Sequence, residues 1–208
     1  MRDLCGAITF QRLGVIGLNG SGKSSLLRLI AGLETPTEGG ITLDHKPSTD
    51  CAVGYVFQNP DHQLLMPTVR EDIRFGLVQS GLDKTLADAQ AMQLLEQHQL
   101  SSIADAPVAE LSEGQKQLVC LLAILIMTPE LIVFDEPFSA LDWVQQQRMQ
   151  QRIVALAVPS IHIGHQPSEL RYCDQVLWLD EGTLKAHGPA DDVLSQYETF
   201  CRAQLDRD

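Results

Sequence analysis

The sequence predicts an α/β fold, a mainly parallel sheet interrupted by a helical insertion. Two observations carry this. Apolar runs of strand length alternate with segments of helical spacing near both ends of the chain, as in strands joined by crossover helices. Between about residues 61 and 127 the strand signals stop and the patterns are mostly helical. A chain of 208 residues is long enough to bury one core with a lobe inserted into it.

The elements follow in order. Ala7–Phe10 and Leu13–Ile16 read as short N-terminal strands, and Leu26–Leu33 as a helix ended by the turn-rich "ETPTEGG". Ala52–Phe57 reads as a strand. Thr68 with Glu71 forms the capping-box pattern of a helix start. Leu86–Gln97 has amphipathic spacing, and Glu113–Met127 is apolar enough to be a buried helix. Strand signals return at Leu131–Phe134, Ile161–Gly164 and Val176–Leu179, with helices expected around Leu141–Ala155 and Ser168–Tyr172. There is no internal repeat and no low-complexity linker.

Composition narrows the partners. A net charge of −12 argues against a nucleic-acid surface, which needs clustered Lys and Arg. The five cysteines are scattered without CxxC spacing and read as reduced cytosolic thiols. No signal peptide is expected, because Met1 is followed by residues of mixed polarity. The longest apolar run, Leu118–Met127, is about half of what a membrane span needs.

Three stretches carry chemistry. The first is "GLNGSGKS", Gly17 to Ser24, which fits G-x-x-x-x-G-K-[ST] between an expected strand and an expected helix. Glycines let successive N–H groups converge on an anion, and the helix N-terminus adds its positive end. Asn19, Gly20, Ser21, Gly22, Lys23, Ser24 and Ser25 are the expected nucleotide-binding residues. Lys23 would place a charge on the β- and γ-phosphates, and Ser24 a hydroxyl on Mg²⁺. A helix cap is the plain alternative, and the strand-loop-helix register favours the phosphate site.

The second is "LIVFDEP", a buried strand ending in two acids. Asp135 would hold Mg²⁺, directly or through water, and Glu136 would polarise an attacking water. The third is "LSEGQKQLVCLLAILIM". Ser112 and Gln115 form a capping box there, so a well-capped buried helix explains the string by itself.

Taken together, these motifs resemble the ATP-binding subunit of an ABC transporter over nearly the whole chain. Gly17–Ser24 is similar to the Walker A loop, Leu131–Glu136 to the Walker B strand, and Leu111–Gln115 to the LSGGQ signature. Gln58 stands where the family has its Q-loop glutamine, Ser139–Asp142 where it has the D-loop, and His165 at the switch histidine. The resemblance implies a P-loop NTPase (RecA-like) core with short antiparallel N-terminal strands and an inserted helical subdomain. The whole would be one domain, 1–208, with the core at about 1–60 and 128–208 and the subdomain at about 61–127. It implies ATP and Mg²⁺ as ligands, with Ser24, Gln58 and Asp135 at the metal and Glu136 and His165 as catalytic residues. It also implies a head-to-tail dimer, in which Ser112, Gly114, Gln115 and the D-loop Asp142 of one subunit complete the ATP site of the other. His162, His98 and His187 are expected in the core or on the surface.

The sequence departs from the family in three places. Glu113 stands at a signature glycine and must turn away from a phosphate. Gln166 follows His165 where aspartate is usual. The aromatic residue that stacks on adenine has no counterpart, since Phe10 is the sole aromatic before Gly17.

"FQNPDHQLLMPTVREDIRFGL", Phe57 to Leu77, is similar to the "FQNPDxQ" segment of energy-coupling-factor ATPases, which drive vitamin and transition-metal uptake. In that family it meets a transmembrane coupling protein, which works with a membrane substrate-binding subunit. Asp61 would pair with an arginine there, or remain a solvated loop acid. The tail from His162 to Pro189 resembles the ATPase of biotin transporters, with cobalt and nickel systems as close competitors. The resemblance implies a peripheral protein on the cytoplasmic side of the inner membrane, in a pair with a second ATPase subunit. A soluble ABC-type ATPase of ribosomes or DNA is the alternative from another class. The single cassette, the absence of a long coiled-coil insertion and the acidic charge count against it. An ordinary P-loop kinase would leave the signature and "SALD" unexplained.

Overall fold

The computed structural model describes residues 5–205, so the two ends of the expected 1–208 span lie outside it. The chain divides into two compact units. One takes the described residues up to Tyr55, then Glu130–Glu136, then those from Leu156 onward; the other takes Val56–Pro129 and Pro137–Ala155.

The first unit is built on a six-stranded sheet. Its strands are β1 (Arg12–Ile16), β4 (Val53–Val56), β5 (Leu131–Phe134), β6 (Ser160–Ile163), β7 (Gln175–Asp180) and β8 (Thr183–Pro189), in the order β4-β5-β6-β1-β7-β8. β1 pairs in parallel with β6 and β7, β5 in parallel with β6, and β8 turns back antiparallel on β7. Side chains alternate across a strand, so each strand serves two cores. Leu13, Val15, Val133, Ile161, Ile163, Leu177 and Leu179 meet Leu26, Leu27 and Ile30 of helix α1 (Lys23–Ile30) on one face. Ile16, Val176 and Trp178 meet Val193, Leu194 and Tyr197 of helix α6 (Ala190–Leu205) on the other. Covering both faces is what a parallel sheet requires.

Several elements differ from expectation. Ala7–Phe10 forms no strand; Ile8 and Phe10 instead pack on the α1-side core. The short antiparallel pair is β2 (Thr42–Leu43) with β3 (Lys46–Pro47), closed by Asp44 and His45 with positive φ. α1 starts three residues earlier than its apolar run and stops before Gly32, at φ 69°. Pro167–Glu169 is a short 3₁₀ turn in place of a helix over Ser168–Tyr172. β8 and α6 were not expected at all.

The second unit holds α2 (Val69–Gln79), α3 (Lys84–Gln97), α4 (Glu113–Leu125) and α5 (Trp143–Val154). α2 packs on both α3 and α4. Six consecutive residues of α4, Gln117–Leu122, are buried, which makes it the central helix of this unit. Thr68 caps α2 by accepting from the Glu71 N–H, and its hydroxyl donates to the Glu71 carboxylate at 3.0 Å. Asp83 caps α3, accepting from Thr85 and Leu86.

His162 settles as a core residue. It is fully buried and stacked on Phe134, with Nε2 2.7 Å from Ser160 Oγ and Nδ1 3.0 Å from the Tyr172 hydroxyl. Burial, helped by the Arg12 charge, pushes its pKa from 6.5 down to about 3. In that window the unfolded chain binds a proton here that the folded chain does not, so stability should fall as pH drops below 6.5. One proton corresponds to a slope of ~1.4 kcal/mol per pH unit. Chemical-denaturation midpoints from pH 7 to 4.5 should show this slope in the wild type. His162→Gln, less stable at pH 7, should show a shallower one.

Candidate active site

The chemistry of the first unit gathers at the carboxyl end of β1 and β5. At Gly17 a Cβ would come within 2.2 Å of the Leu179 carbonyl, so only glycine lets the chain leave β1 there. Gly22 is the N-cap of α1 at φ 97°, a left-handed conformation that glycine adopts without strain. The loop between them bends so that Lys23 begins the helix while its side chain folds back. Lys23 Nζ donates to the Gly17 carbonyl at 2.8 Å and to the Leu18 carbonyl at 3.2 Å.

Lys23 is 6 % exposed. Burial lowers its pKa, and the Glu136 and then the Asp135 carboxylates oppose that shift. A cation placed so deep on neutral carbonyls, near two acids, is well placed to take an anion. Ser21 Oγ is buried with no hydrogen-bond partner, an unusual state for a hydroxyl unless a ligand serves it. Asn19, Gly20, Ser21, Gly22, Lys23, Ser24 and Ser25 line a cleft of about 250 Å³ together with Glu136 and His165.

The acidic strand end reaches the same place. Asp135 follows β5, and one oxygen, Oδ2, accepts from the Tyr55 hydroxyl at 2.6 Å. Glu136 has φ 52°, strained for a residue with a side chain, and its Oε1 lies 2.6 Å from His165 Nε2. The Glu136 side chain is 13 % exposed and that of His165 44 %. Glu169 Oε2 accepts from the backbone N–H groups of His165 and Gln166 and so fixes the loop after β6.

Other expected residues lie in the second unit: Gln58, Asp61, Ser112, Gly114, Gln115 and Asp142. The capping box at α4 is real. Ser112 Oγ accepts from the Gln115 N–H, and Gln115 Oε1 accepts from the Ser112 N–H at 2.9 Å. Asp142 caps α5, accepting from Gln145 at 2.8 Å. The two helix starts are neighbours, since a Cβ at Gly114 would sit 3.2 Å from Gln145 Cδ. Glu113 turns aside as its charge demands, to Lys116 at 3.3 Å. Asp61 pairs with the same Lys116, at 2.7 Å.

Three residues around these groups escaped sequence reasoning: Lys116, Tyr55 and Glu169. Lys116 stands at helical spacing from Glu113, so that partner was readable. Tyr55 and Glu169 had no signal, because their partners meet them only through the fold. Among the described residues no group of three or more His, Cys, Asp or Glu could hold a metal. The oxygen donors Ser24 and Asp135 suit Mg²⁺, which keeps waters and phosphates as ligands and needs no all-protein cage.

Known proteins are similar to this chain over most of its length. The ABC transporter family profile matches residues 8–139. The biotin transport ATP-binding protein BioM of Rhodobacter capsulatus is 42 % identical over 201 residues, 94 % of this chain and 86 % of that protein. The BioM of Rhizobium etli is 36 % identical, covering 92 % of this chain and 88 % of that one. Among solved structures, cbiO1 from Clostridium perfringens, part of the ABC transporter complex cbiONQ, superposes with a TM-score of 0.78. It is 28 % identical over 93 % of this chain and 83 % of its own. The glycine loop on its buried lysine, the paired acids after β5 and these relatives agree: the chain belongs to the ABC transporter family, as an ATP-binding subunit with ATPase activity.

Proposed function

We propose that this chain powers an importer of the energy-coupling-factor type, with biotin as the cargo. The observation that carries the reading is the 42 % identity to a biotin transport ATP-binding protein along 94 % of the chain. The Phe57–Leu77 segment supports the importer type. In this reading two ATPase subunits pair head to tail on the cytoplasmic side of the inner membrane. A transmembrane coupling protein and a membrane substrate-binding subunit complete the assembly.

The hydrolysis follows from the cleft. Loop N–H groups and the positive end of α1 receive the phosphates. Lys23 Nζ exchanges the Gly17 and Leu18 carbonyls for β- and γ-phosphate oxygens. Ser24 and Asp135 would hold Mg²⁺, which would offset the phosphate charge. Water attacks the γ-phosphorus, Glu136 takes its proton, and the bridging oxygen leaves with ADP. His165, against Glu136, orients the carboxylate and meets the γ-phosphate. Ser112, Gly114 and Gln115 of the second subunit close the site, with Asp142 fixing the adjacent helix start.

Glu136→Gln should keep ATP binding and lower hydrolysis by ~10²–10⁴-fold, the usual cost of a lost general base. An ATP-stabilised dimer should then accumulate in size-exclusion chromatography. Wild-type turnover would remove Glu136 from the mechanism.

Ser112→Arg separates closure from capping. A lost cap lowers stability by ~1 kcal/mol and leaves the dimer competent. If Ser112 faces the other subunit's phosphate, the variant binds ATP as a monomer but neither dimerises nor hydrolyses. Binding, gel filtration and melting temperature together distinguish the two.

The importer role is tested by co-expression with the two membrane subunits of a biotin uptake system, in cells that need external biotin. Labelled biotin should accumulate; accumulation of labelled cobalt or nickel instead would reassign the cargo. Asp61→Arg should abolish assembly and uptake, because like charges then face each other at the interface. Lys116→Met, which breaks only the internal pairs with Asp61 and Glu113, should assemble. Assembly by Asp61→Arg would leave Asp61 as a solvated acid.

A further inference from the structure

The Tyr55–Asp135 hydrogen bond is not accounted for by the steps above. It joins two side chains from neighbouring strands, β4 and β5, that stand 80 positions apart in sequence. At 2.6 Å it is short, it is partly buried, and it occupies Asp135 Oδ2. Tyr55 itself packs on the α1-side core, so its ring is held while its hydroxyl engages Asp135, the neighbour of the cleft residue Glu136.

We propose that Tyr55 is a positioning residue: its hydroxyl fixes the Asp135 carboxylate so that the second oxygen is presented to the Mg²⁺ of Mg·ATP. The inference rests on the reading of Asp135 as a metal carboxylate. The physical argument is one of geometry. A carboxylate at a strand end is free to rotate about χ2, and a bound cation must then stop that rotation. A phenol that engages one oxygen beforehand stops it in advance, as partners behind metal ligands generally do. The phenol remains a neutral donor, so the carboxylate keeps its formal negative charge for the cation. Its pKa is raised by burial and by the Asp135 carboxylate it bonds.

The decisive experiment uses Tyr55→Phe in the full chain. Binding of a fluorescent ATP analogue is titrated twice, with EDTA and with increasing Mg²⁺, and the melting temperature is measured alongside. Nucleotide affinity in EDTA should be unchanged, because the loop and Lys23 are untouched. The Mg²⁺ concentration for half-maximal effect should rise about tenfold, the low end of what loss of such a partner costs. An unchanged Mg²⁺ dependence, or an equal loss of affinity in EDTA, overturns the proposal. Asp135→Asn is the control. If it too leaves the Mg²⁺ dependence unchanged, the reading of Asp135 fails. If it shifts that dependence while Tyr55→Phe does not, only the role of Tyr55 fails. In the Asp135→Asn background, Tyr55→Phe should add less than twofold. A second measurement keeps the natural shape. With 3-fluorotyrosine placed at position 55, the ¹⁹F signal should shift when Mg²⁺ is added to the ATP-bound protein, and should not shift in Asp135→Asn. A signal indifferent to Mg²⁺ in the otherwise wild-type protein also overturns it.

Discussion

A buried ammonium governs the first unit. Lys23 is almost fully covered, and water no longer solvates its charge. Two loop carbonyls and the field of Glu136 and Asp135 replace that water. This arrangement dictates much else. The carbonyls of Gly17 and Leu18 converge on one atom only if the chain turns sharply at Gly17. That turn is possible only without a Cβ, because the Leu179 carbonyl already fills the space. The acids must arrive at the end of β5, so β5 must be a central strand, two places from β1 in the sheet. Glu136 arrives there in a strained backbone conformation, held against His165. The strain stands where the proposed proton acceptor stands, which is where such conformations tend to be kept.

The same logic explains what was legible in the sequence. Gly17–Ser24 announces itself because each residue type at each position answers one requirement of the backbone turn or the anion. "LIVFDEP" is legible because two acids after four apolar residues make no sense in a buried strand without a cation nearby. The sheet alternation is equally readable, since Leu13 with Val15 and Leu177 with Leu179 share a face. By contrast Tyr55 reads as one more apolar strand residue. Its hydroxyl matters only because β4 lies beside β5, and strand order is set by packing over the whole chain. β8 escapes because "TLKAHGP" is a mostly exposed edge strand whose alternation, Leu184 and Ala186 between Thr183, Lys185 and His187, is short and only weakly apolar. α6 was readable in principle: Ala190, Val193, Leu194 and Tyr197 recur at three and four, facing the core.

Ala7–Phe10 shows the opposite error. Its residues have strand-like composition, but the sheet is already complete, with β4 and β8 at its edges. Ile8 and Phe10 are spent on covering the α1-side core, so apolar character there reports burial and not pairing. Phe10, the aromatic nearest to the loop on its N-terminal side, is partly buried on that core.

The second unit raises a different question, because its signature helix carries a carboxylate at a position of glycine. A negative charge in a helix's first turn is favoured by the dipole, but it would also weaken any anion site at that end. Lys116, one turn on, offsets the charge of Glu113, and it takes Asp61 as well. Exposed pairs of this kind add little stability. Their effect is on charge, and it is partial: two carboxylates share one ammonium, so the start of α4 keeps one negative charge in excess. What fastens the Phe57–Gln63 segment to α4 is less conspicuous. Gln63 accepts from the Phe57 N–H and donates to the Cys120 carbonyl, and the Cys120 thiol reaches the Pro60 carbonyl. The two bonds at Cys120 lie at the middle of the most buried helix of the unit, where breaking one costs more than at the surface. The segment proposed to meet the membrane partner and the helix proposed to close on ATP are thus one piece.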